Sequence, residues 1–229
     1  MPDFPDDVLS VILFGSQARG DADLASDVDV CVFATDAEFE DLQLLKSSCA
    51  DVIGVPLESV TVYTDQVLSV MSAQGALLLW HIKQEGKVIF DPGSYASILL
   101  EHLQPFHTYD EEYAVYEDLI LGVEQAVSAG RTTSALDCHV LQVVIRNVCI
   151  LLMYFLGQPT YGRYTAVQSA MTRVPGLPIV WADYFALCEW HLSYLRGITS
   201  VQPAPTRRQL AQYLLMARAT LECARKITN

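Results

Sequence analysis

A short polar segment between two apolar runs constrains the fold of this chain more than any other feature. The first apolar run ends at Gly15-Ser16, and the second begins directly after Asp27 and Asp29. Each run has the length and composition of a β-strand, and a short helix is predicted to begin at Ser16. Since side chains two residues apart on a strand point the same way, we expect Asp27 and Asp29 on one face of a sheet.

The residue types in this segment suit the binding of a nucleotide. Two carboxylates that lie close together repel each other unless a cation lies between them. A small number of carboxylate oxygens suits Mg²⁺, which keeps some waters and shares the phosphate oxygens of a substrate. The Gly15-Ser16 turn offers free backbone N–H groups to a phosphate, and Arg19 adds a forked cation nearby. We therefore predict that Asp27 and Asp29 bind the metal and that Gly15, Ser16 and Arg19 bind the nucleotide.

A second pair of aspartates, Asp21 and Asp23, has the same spacing. No apolar run follows this pair, and small and polar residues surround it, so we predict a solvated loop. Asp27 and Asp29 precede the strand and are the preferred metal ligands.

The pattern resembles the signature of the DNA polymerase beta-like nucleotidyltransferase superfamily. That signature has Gly-Ser after a strand, often followed by Ala-Arg-Gly, and then Asp-x-Asp at the opening of the next strand. The residues that match it are Gly15, Ser16, Ala18, Arg19, Gly20, Asp27 and Asp29. The form Ser-x-Ala-Arg-Gly is most similar to the small bacterial members, the minimal and the aminoglycoside nucleotidyltransferases. The resemblance covers roughly the first ninety residues.

This resemblance implies transfer of a nucleoside monophosphate from a nucleoside triphosphate, with ATP expected, to an acceptor hydroxyl. Pyrophosphate leaves, and two Mg²⁺ ions on Asp27 and Asp29 align the reacting oxygens. An aminoglycoside, a lincosamide, a protein side chain and a tRNA end remain open as acceptors. A second subunit often completes the acceptor cleft in such proteins, which makes a homodimer a further expectation. The alternative function is a non-catalytic module, such as an antitoxin or a regulatory subunit.

Members of the superfamily usually carry a third acid on a later strand that faces the same metals. The strand predicted at 59–63 is the match, and the residue at the expected acidic position is Thr61. Glu58, just before this strand, is the predicted catalytic acid; Asp65, just after it, and an acid of the C-terminal half stay open as general base. The candidates in the C-terminal half are Glu111, Glu112, Glu117, Asp118 and Asp137. The pair Asp27 and Asp29 favours an enzyme, whereas Thr61 favours the non-catalytic module.

Two features of the C-terminal half have both a structural and a functional interpretation. Arg146 lies in an apolar helical pattern, where a buried charge needs a partner, so it either pairs with an acid or reaches the nucleotide. The segment 159–164 contains two tyrosines and an arginine beside a glycine. It either contacts a substrate or connects two helices.

The chain divides into an α/β half and a helical half, with the boundary predicted after Pro92. The first half indicates a small mixed sheet with helices on one side, and its predicted strands are about 8–14, 28–33, 59–63 and 87–90. Only helical patterns separated by turns follow Pro92, at about 94–103, 110–128, 132–156, 164–173, 179–196 and 206–227. We therefore expect an α/β (α+β) nucleotidyltransferase domain at 1–92 and an all-α helical bundle domain at 93–229.

Charge and composition narrow the expected partners and location. The net charge is −13, and residues 1–92 hold 16 Asp or Glu against 4 Lys or Arg. An acidic domain disfavours long nucleic acid and favours a cationic acceptor such as an amino sugar. The apolar stretch Val148–Leu156 is too short to span a membrane and is predicted as a buried helix. The cysteines lie mostly in apolar runs and no secretory signal pattern is present, so we predict free thiols in a cytoplasmic protein.

Overall fold

The computed structural model describes residues 3–22, 26–196 and 204–228. The chain divides into two compact units, Met1–His107 and Thr108–Asn229. Strands and helices alternate in the first unit, and every described element of the second unit is a helix. The predicted fold class, an α/β domain followed by a helical region, is confirmed.

The first unit is built on a four-stranded mixed sheet. Its strands are β1 (Val8–Phe14), β2 (Asp29–Ala34), β3 (Val60–Thr64) and β4 (Lys87–Phe90). They lie in the order β3-β2-β1-β4, with β2 antiparallel to β1 and parallel to β3, and with β4 antiparallel to β1. All four predicted strands are present within one or two residues of their predicted bounds.

Five helices connect or follow these strands. They are α1 (Gly15–Arg19), α2 (Phe39–Ile53), α3 (Asp65–Gln74), α4 (Leu77–Glu85) and α5 (Tyr95–Glu101). Helix α2 has 15 residues. It ends at Ile53 because Gly54 adopts a left-handed backbone with φ +77°.

Helices cover both faces of the sheet, so the predicted one-sided arrangement is wrong. Val30 and Val32 of β2 pack in the apolar cluster that includes α2. Cys31 and Phe33 point the other way, into a cluster with residues of α3, α4 and α5. Successive residues of β2 are apolar, so both faces of this strand are apolar. Each face is therefore buried against helices.

The first unit extends past the predicted boundary at Pro92 because α5 packs on the sheet. The Asp91 carboxylate accepts hydrogen bonds from Ser10 Oγ at 2.7 Å and from the Ala96 amide at 3.2 Å. Burial alone would raise the pKa of Asp91, but these bonds and those from Ser97 outweigh it, so the pKa lies below its ordinary value. They join the first turn of α5 to β1, and the contacts divide the chain at His107/Thr108 instead.

The second unit is a bundle around one central helix. Its helices are α6 (Tyr109–Ser128), α7 (Ala135–Phe155), α8 (Thr165–Arg173), α9 (Trp181–Arg196) and α10 (Arg207–Thr228), all close to their predicted bounds. Helix α7 contacts α6, α8, α9 and α10. Of the helices described, α7 alone is long and apolar enough to cross a membrane by length and composition, but 61% of its most apolar window is buried. Its apolar residues form the core of the bundle.

Candidate active site

The turn after β1 and the first residue of β2 meet at one edge of the sheet. Phe14 pairs with Asp29 in the antiparallel register, and Gly15 follows with φ +72°. A Cβ atom on Gly15 would overlap Oδ2 of Asp29 and would lie 3.2 Å from its Cγ. Glycine is therefore required here by the backbone conformation and by the close approach of the carboxylate. The structure brings the Gly15 turn and the Asp29 carboxylate together.

Asp27 lies two residues before β2 and not on the strand, because β2 begins at Asp29. The alternation of side chains along a strand therefore places Asp29 on the sheet face but does not determine the direction of Asp27. Asp27 is exposed, whereas Asp29 is partly buried. Asp23 lies outside the described residues.

The donor set at this edge fits a hard divalent cation. Within residues 3–22, 26–196 and 204–228, no group of three or more His, Cys, Asp or Glu side chains is arranged to hold a metal ion. Asp27 and Asp29 supply carboxylate oxygens only, and Mg²⁺ is commonly bound by one or two carboxylates with waters and substrate phosphates. The residues present therefore fit Mg²⁺ shared with a triphosphate better than a metal enclosed by protein ligands.

Thr61 lies on the face of the sheet that carries Asp29. It pairs with Cys31 in the parallel register of β2 and β3, and Cys31 follows Asp29 by one strand period. Thr61 is exposed. An uncharged, exposed hydroxyl thus occupies the strand position at which the family pattern predicts an acid.

The same register separates the two acids that flank β3. Glu58 is exposed in a 3₁₀ turn, Leu57–Ser59, which precedes β3 at the end that adjoins the start of β2. Asp65 begins α3 beyond the opposite end of β3, roughly 20 Å along the strand from the level of Asp29. Of the two acids, Glu58 lies at the carboxylate edge of the sheet and Asp65 does not.

Arg19 is held by two carboxylates. Its Nε lies 3.1 Å from Asp21, which is half-exposed in the segment predicted as a solvated loop, and its Nη1 lies 2.6 Å from Glu85. Glu85 also accepts a hydrogen bond from His81 Nε2 at 2.8 Å. Burial alone would raise the pKa of Glu85, but the bonds from His81 and Arg19 outweigh it and the pKa lies below its ordinary value. The bonds to the ionised Glu85 carboxylate therefore stabilise the fold at pH values above the ordinary carboxyl pKa. This stabilisation is lost as the pH falls through the lowered pKa of Glu85.

Asp137, a candidate base of the helical half, caps a helix. It is 1% exposed, and its Oδ2 accepts hydrogen bonds from the amide of Ser134 at 2.8 Å and from Ser134 Oγ at 2.9 Å. Its other oxygen pairs with Arg131. These contacts complete a capping box at the start of α7, which is a structural role.

We expect Asp137→Ala to lower the free energy of unfolding by about 1–2 kcal/mol, because the amide and hydroxyl of Ser134 lose their carboxylate acceptor and Arg131 loses its partner. Urea denaturation measures this change, and Asp118→Ala, at an exposed position on α6, is the matched control with little expected effect. Nucleotide binding should be unchanged in the folded Asp137 variant. Lost turnover at unchanged stability would show that Asp137 acts in the reaction instead.

The remaining acids of α6 do not stand out by their surroundings. Glu117 pairs with Arg225 at 2.8 Å. Glu111 and Asp118 are exposed, and Glu112 is partly buried. That an acid of the helical half completes the site stays a prediction.

Arg146 and the segment 159–164 are tied to the bundle. Arg146 Nη2 donates to the backbone carbonyl of Tyr161 at 2.8 Å, and the Tyr161 side chain is buried. The hydroxyl of Tyr184 donates to the carbonyl of Arg163 at 2.6 Å. These bonds hold the segment as a connection between α7 and α8. The acceptor that they give Arg146 is a backbone carbonyl, which is neither of the partners predicted for it.

The sequence of the first unit matches a known family. Residues 4–94 match the model of the family described as polymerase beta, nucleotidyltransferase. A search of curated proteins gives no match to the chain.

Solved structures give weaker similarities. A spectinomycin adenyltransferase from Enterococcus faecialis, solved with ATP and spectinomycin, is 13% identical with a TM-score of 0.49, over 96% of this chain and 92% of that chain. A nucleotidyltransferase-like protein from Exiguobacterium sibiricum is 13% identical with a TM-score of 0.39, over 95% and 69%. A toxin–antitoxin structure with AMP-PNP is 17% identical with a TM-score of 0.32, over 55% and 87%.

These TM-scores are all below 0.5, so the assignment depends on the family match and on the motif within it. The matched residues 4–94 span all four strands of the sheet, the Gly15-Ser16 turn and the pair Asp27 and Asp29. Residues 4–94 of this chain form a nucleotidyltransferase domain of the polymerase beta family.

Proposed function

We propose that this protein transfers a nucleoside monophosphate from a magnesium-bound nucleoside triphosphate, with ATP as the expected donor, to an acceptor hydroxyl. The observation that carries the proposal is the close approach of the Asp29 carboxylate to Gly15. A carboxylate able to bind a cation thus lies beside a turn whose backbone N–H groups can bind phosphate oxygens. A triphosphate and its cation can be bound together at such an edge.

Each residue of the proposed site has a distinct role. Gly15 and Ser16 bind the β- and γ-phosphates, and Arg19 belongs to the same nucleotide-binding region. Asp27 and Asp29 hold Mg²⁺, which when bound neutralises phosphate charge and aligns the attacking and leaving oxygens. Through this ion, the two carboxylates would help to hold the triphosphate at this edge of the sheet.

Glu58 is the proposed group that accepts the proton of the acceptor hydroxyl. We expect Glu58→Gln to lower turnover by about 10²–10⁴ while the affinity for Mg-ATP is retained, because an amide cannot accept the proton. Asp65→Asn is the matched control, since Asp65 lies at the opposite end of β3. The rate of pyrophosphate release measures both variants. Equal rates for Glu58→Gln and the wild type would show that Glu58 is not the general base and would favour an acid of the helical half in that role.

The acceptor is proposed to be cationic, an amino sugar in the first instance. Residues 1–92 carry 16 acidic and 4 basic side chains, and such a surface attracts cations over distances of about a Debye length. We also propose a cytoplasmic location, because the cysteines are free thiols and five of the six are buried. We also propose that the protein forms a homodimer.

A non-catalytic nucleotidyltransferase-like module is the second candidate function. Thr61, exposed at the expected position of the third acid, favours it. Such a module would bind Mg-ATP without turnover and would act through a protein partner.

Pyrophosphate release from Mg-ATP in the presence of an acceptor panel distinguishes these functions. The panel contains amino sugars, a lincosamide, proteins and tRNA, and Asp29→Asn serves as the inactive control. We expect release with a cationic acceptor that depends on Mg²⁺ and is absent in the control. Tight binding of Mg-ATP without pyrophosphate across the whole panel would favour the non-catalytic module.

A further inference from the structure

We propose that Arg19 is a positioning residue, which together with His81 and Glu85 of α4 clamps the phosphate-binding turn from both ends. The clamp is defined by Phe14, just before the Gly15-Ser16 turn, by Arg19, at the end of α1, and by the two side chains of α4 that contact them. This inference rests on the proposed function, since the turn that the clamp holds is the proposed binding site of the triphosphate.

The contacts of the clamp reach both ends of the turn. At one end, Arg19 Nη1 donates to Glu85 Oε2 at 2.6 Å, with side-chain exposures of 20% and 16%. At the other end, the ring of Phe14 packs edge-on against His81 with 5.4 Å between ring centroids. His81 and Glu85 are four residues apart on one face of α4 and share a hydrogen bond of 2.8 Å. The pair His81 and Glu85 on α4 therefore contacts Phe14, just before the Gly15-Ser16 turn, and Arg19, at the end of α1.

The turn needs such external support. Helix α1 has only five residues, and a helix of that length does not form by itself in water. It starts at Gly15, which has no side chain that could fix the direction of the backbone N–H groups. A charge-assisted hydrogen bond at a partly buried position is among the stronger polar contacts, and Arg19 also bonds Asp21. These contacts are suited to hold the N–H groups in one orientation.

The same contacts argue against Arg19 as a direct phosphate ligand. Nε and Nη1 of Arg19 already donate to two carboxylates, Asp21 and Glu85. Arg19, Asp21 and Glu85 together carry a formal charge of −1, so the group is not a cationic centre. Arg19 therefore contributes to nucleotide binding through the position of the turn.

The test is a double-mutant cycle on the full chain, with calorimetry of Mg-ATP binding to Arg19→Ala, Glu85→Ala and the double variant. We expect each single change to weaken binding roughly tenfold and the double change to weaken it little further, because both remove one contact. If Arg19 instead bound a phosphate directly, Glu85→Ala would have the opposite effect on the affinity. Removing its negative charge would then leave the affinity unchanged or raise it, and that outcome would overturn the inference.

Conservative variants separate positioning from charge and from general stability. Glu85→Gln keeps an acceptor for Arg19 and should retain most of the affinity, whereas Arg19→Lys keeps the charge without the fork and should bind as weakly as Arg19→Ala. Arg218→Ala is the stability control, since it breaks a two-bond pair with Glu124, at 3.2 and 2.7 Å, in the helical unit. It should leave the affinity for Mg-ATP unchanged. Wild-type affinity in Arg19→Lys would overturn the inference.

Hydrogen exchange tests the clamp without nucleotide. The amides of Gly20 and Asp21 both donate to the carbonyl of Ser16, so they report the integrity of α1. Glu85→Ala should speed their exchange in the free protein, whereas Arg218→Ala should not. Unchanged exchange in Glu85→Ala overturns the clamp. If Glu85→Ala speeds the exchange but the wild type does not bind Mg-ATP, the clamp is supported and only the proposed function is contradicted.

Discussion

Asp29→Asn should reduce magnesium-dependent turnover by at least about a thousandfold, because the lost metal ligand supplies several kcal/mol of charge stabilisation in the transition state. The fold should remain intact, since asparagine has the same shape and Asp29 is only partly buried. Removal of a charge near Asp27 also relieves repulsion, so the nucleotide-free protein should lose no stability. The rate of pyrophosphate release and thermal unfolding measure the two effects.

A control separates this effect from the net charge of the acidic domain. Asp51→Asn removes one exposed charge from α2, which packs on the face of the sheet opposite to the one that carries Asp29. It should leave turnover within about twofold of the wild type. If both variants retained wild-type turnover, Asp29 would not be a metal ligand.

Gly15→Ala should be nearly as damaging as loss of Asp29 itself. Alanine at φ +72° costs about 1–2 kcal/mol of backbone strain, and its Cβ must displace the Asp29 carboxylate. We therefore expect a loss of stability of that size together with the loss of Mg-ATP binding. Calorimetry and urea denaturation on the same preparation measure both.

Gly54→Ala is the matched control for the backbone strain. Gly54 has φ +77°, and a Cβ there would meet no heavy atom within 4 Å. It should lose similar stability and keep its affinity for Mg-ATP. Equal affinities for Gly15→Ala and Gly54→Ala would mean that the contact between Gly15 and Asp29 has no part in nucleotide binding.

The elements of this fold follow from local patterns, whereas their packing does not. The apolar runs that became β1 and β2 and the turn residues between the bundle helices are readable along the chain. The sequence does not predict helices on both faces of the sheet, because β2 is apolar on both faces and shows no alternation of polar and apolar residues. The boundary predicted after Pro92 differs from the division at His107/Thr108 because the anchor of α5, Asp91 with Ser10, joins residues far apart in sequence.

The site shows the same division between local and long-range information. The motif brought Gly15 and Asp29 into consideration, but the choice between Glu58 and Asp65 depends on the parallel register of β2 and β3. The spacing of four between His81 and Glu85 was a visible signal on α4, yet their contact with α1 is tertiary. The role of Asp137 was readable, since Ser134 precedes it by three residues as in a capping box.

Calorimetric titration of Mg-ATP into the wild type and into the double variant Asp27→Asn/Asp29→Asn tests the central claim most directly. Each titration is repeated with EDTA in place of Mg²⁺, and thermal unfolding confirms that the variant is folded. We expect the wild type to bind ATP at 1:1 stoichiometry only with Mg²⁺, and the variant to bind much more weakly with no dependence on Mg²⁺. Equal, magnesium-dependent affinity in the wild type and the folded double variant would contradict the assignment of this edge of the sheet as the nucleotide site.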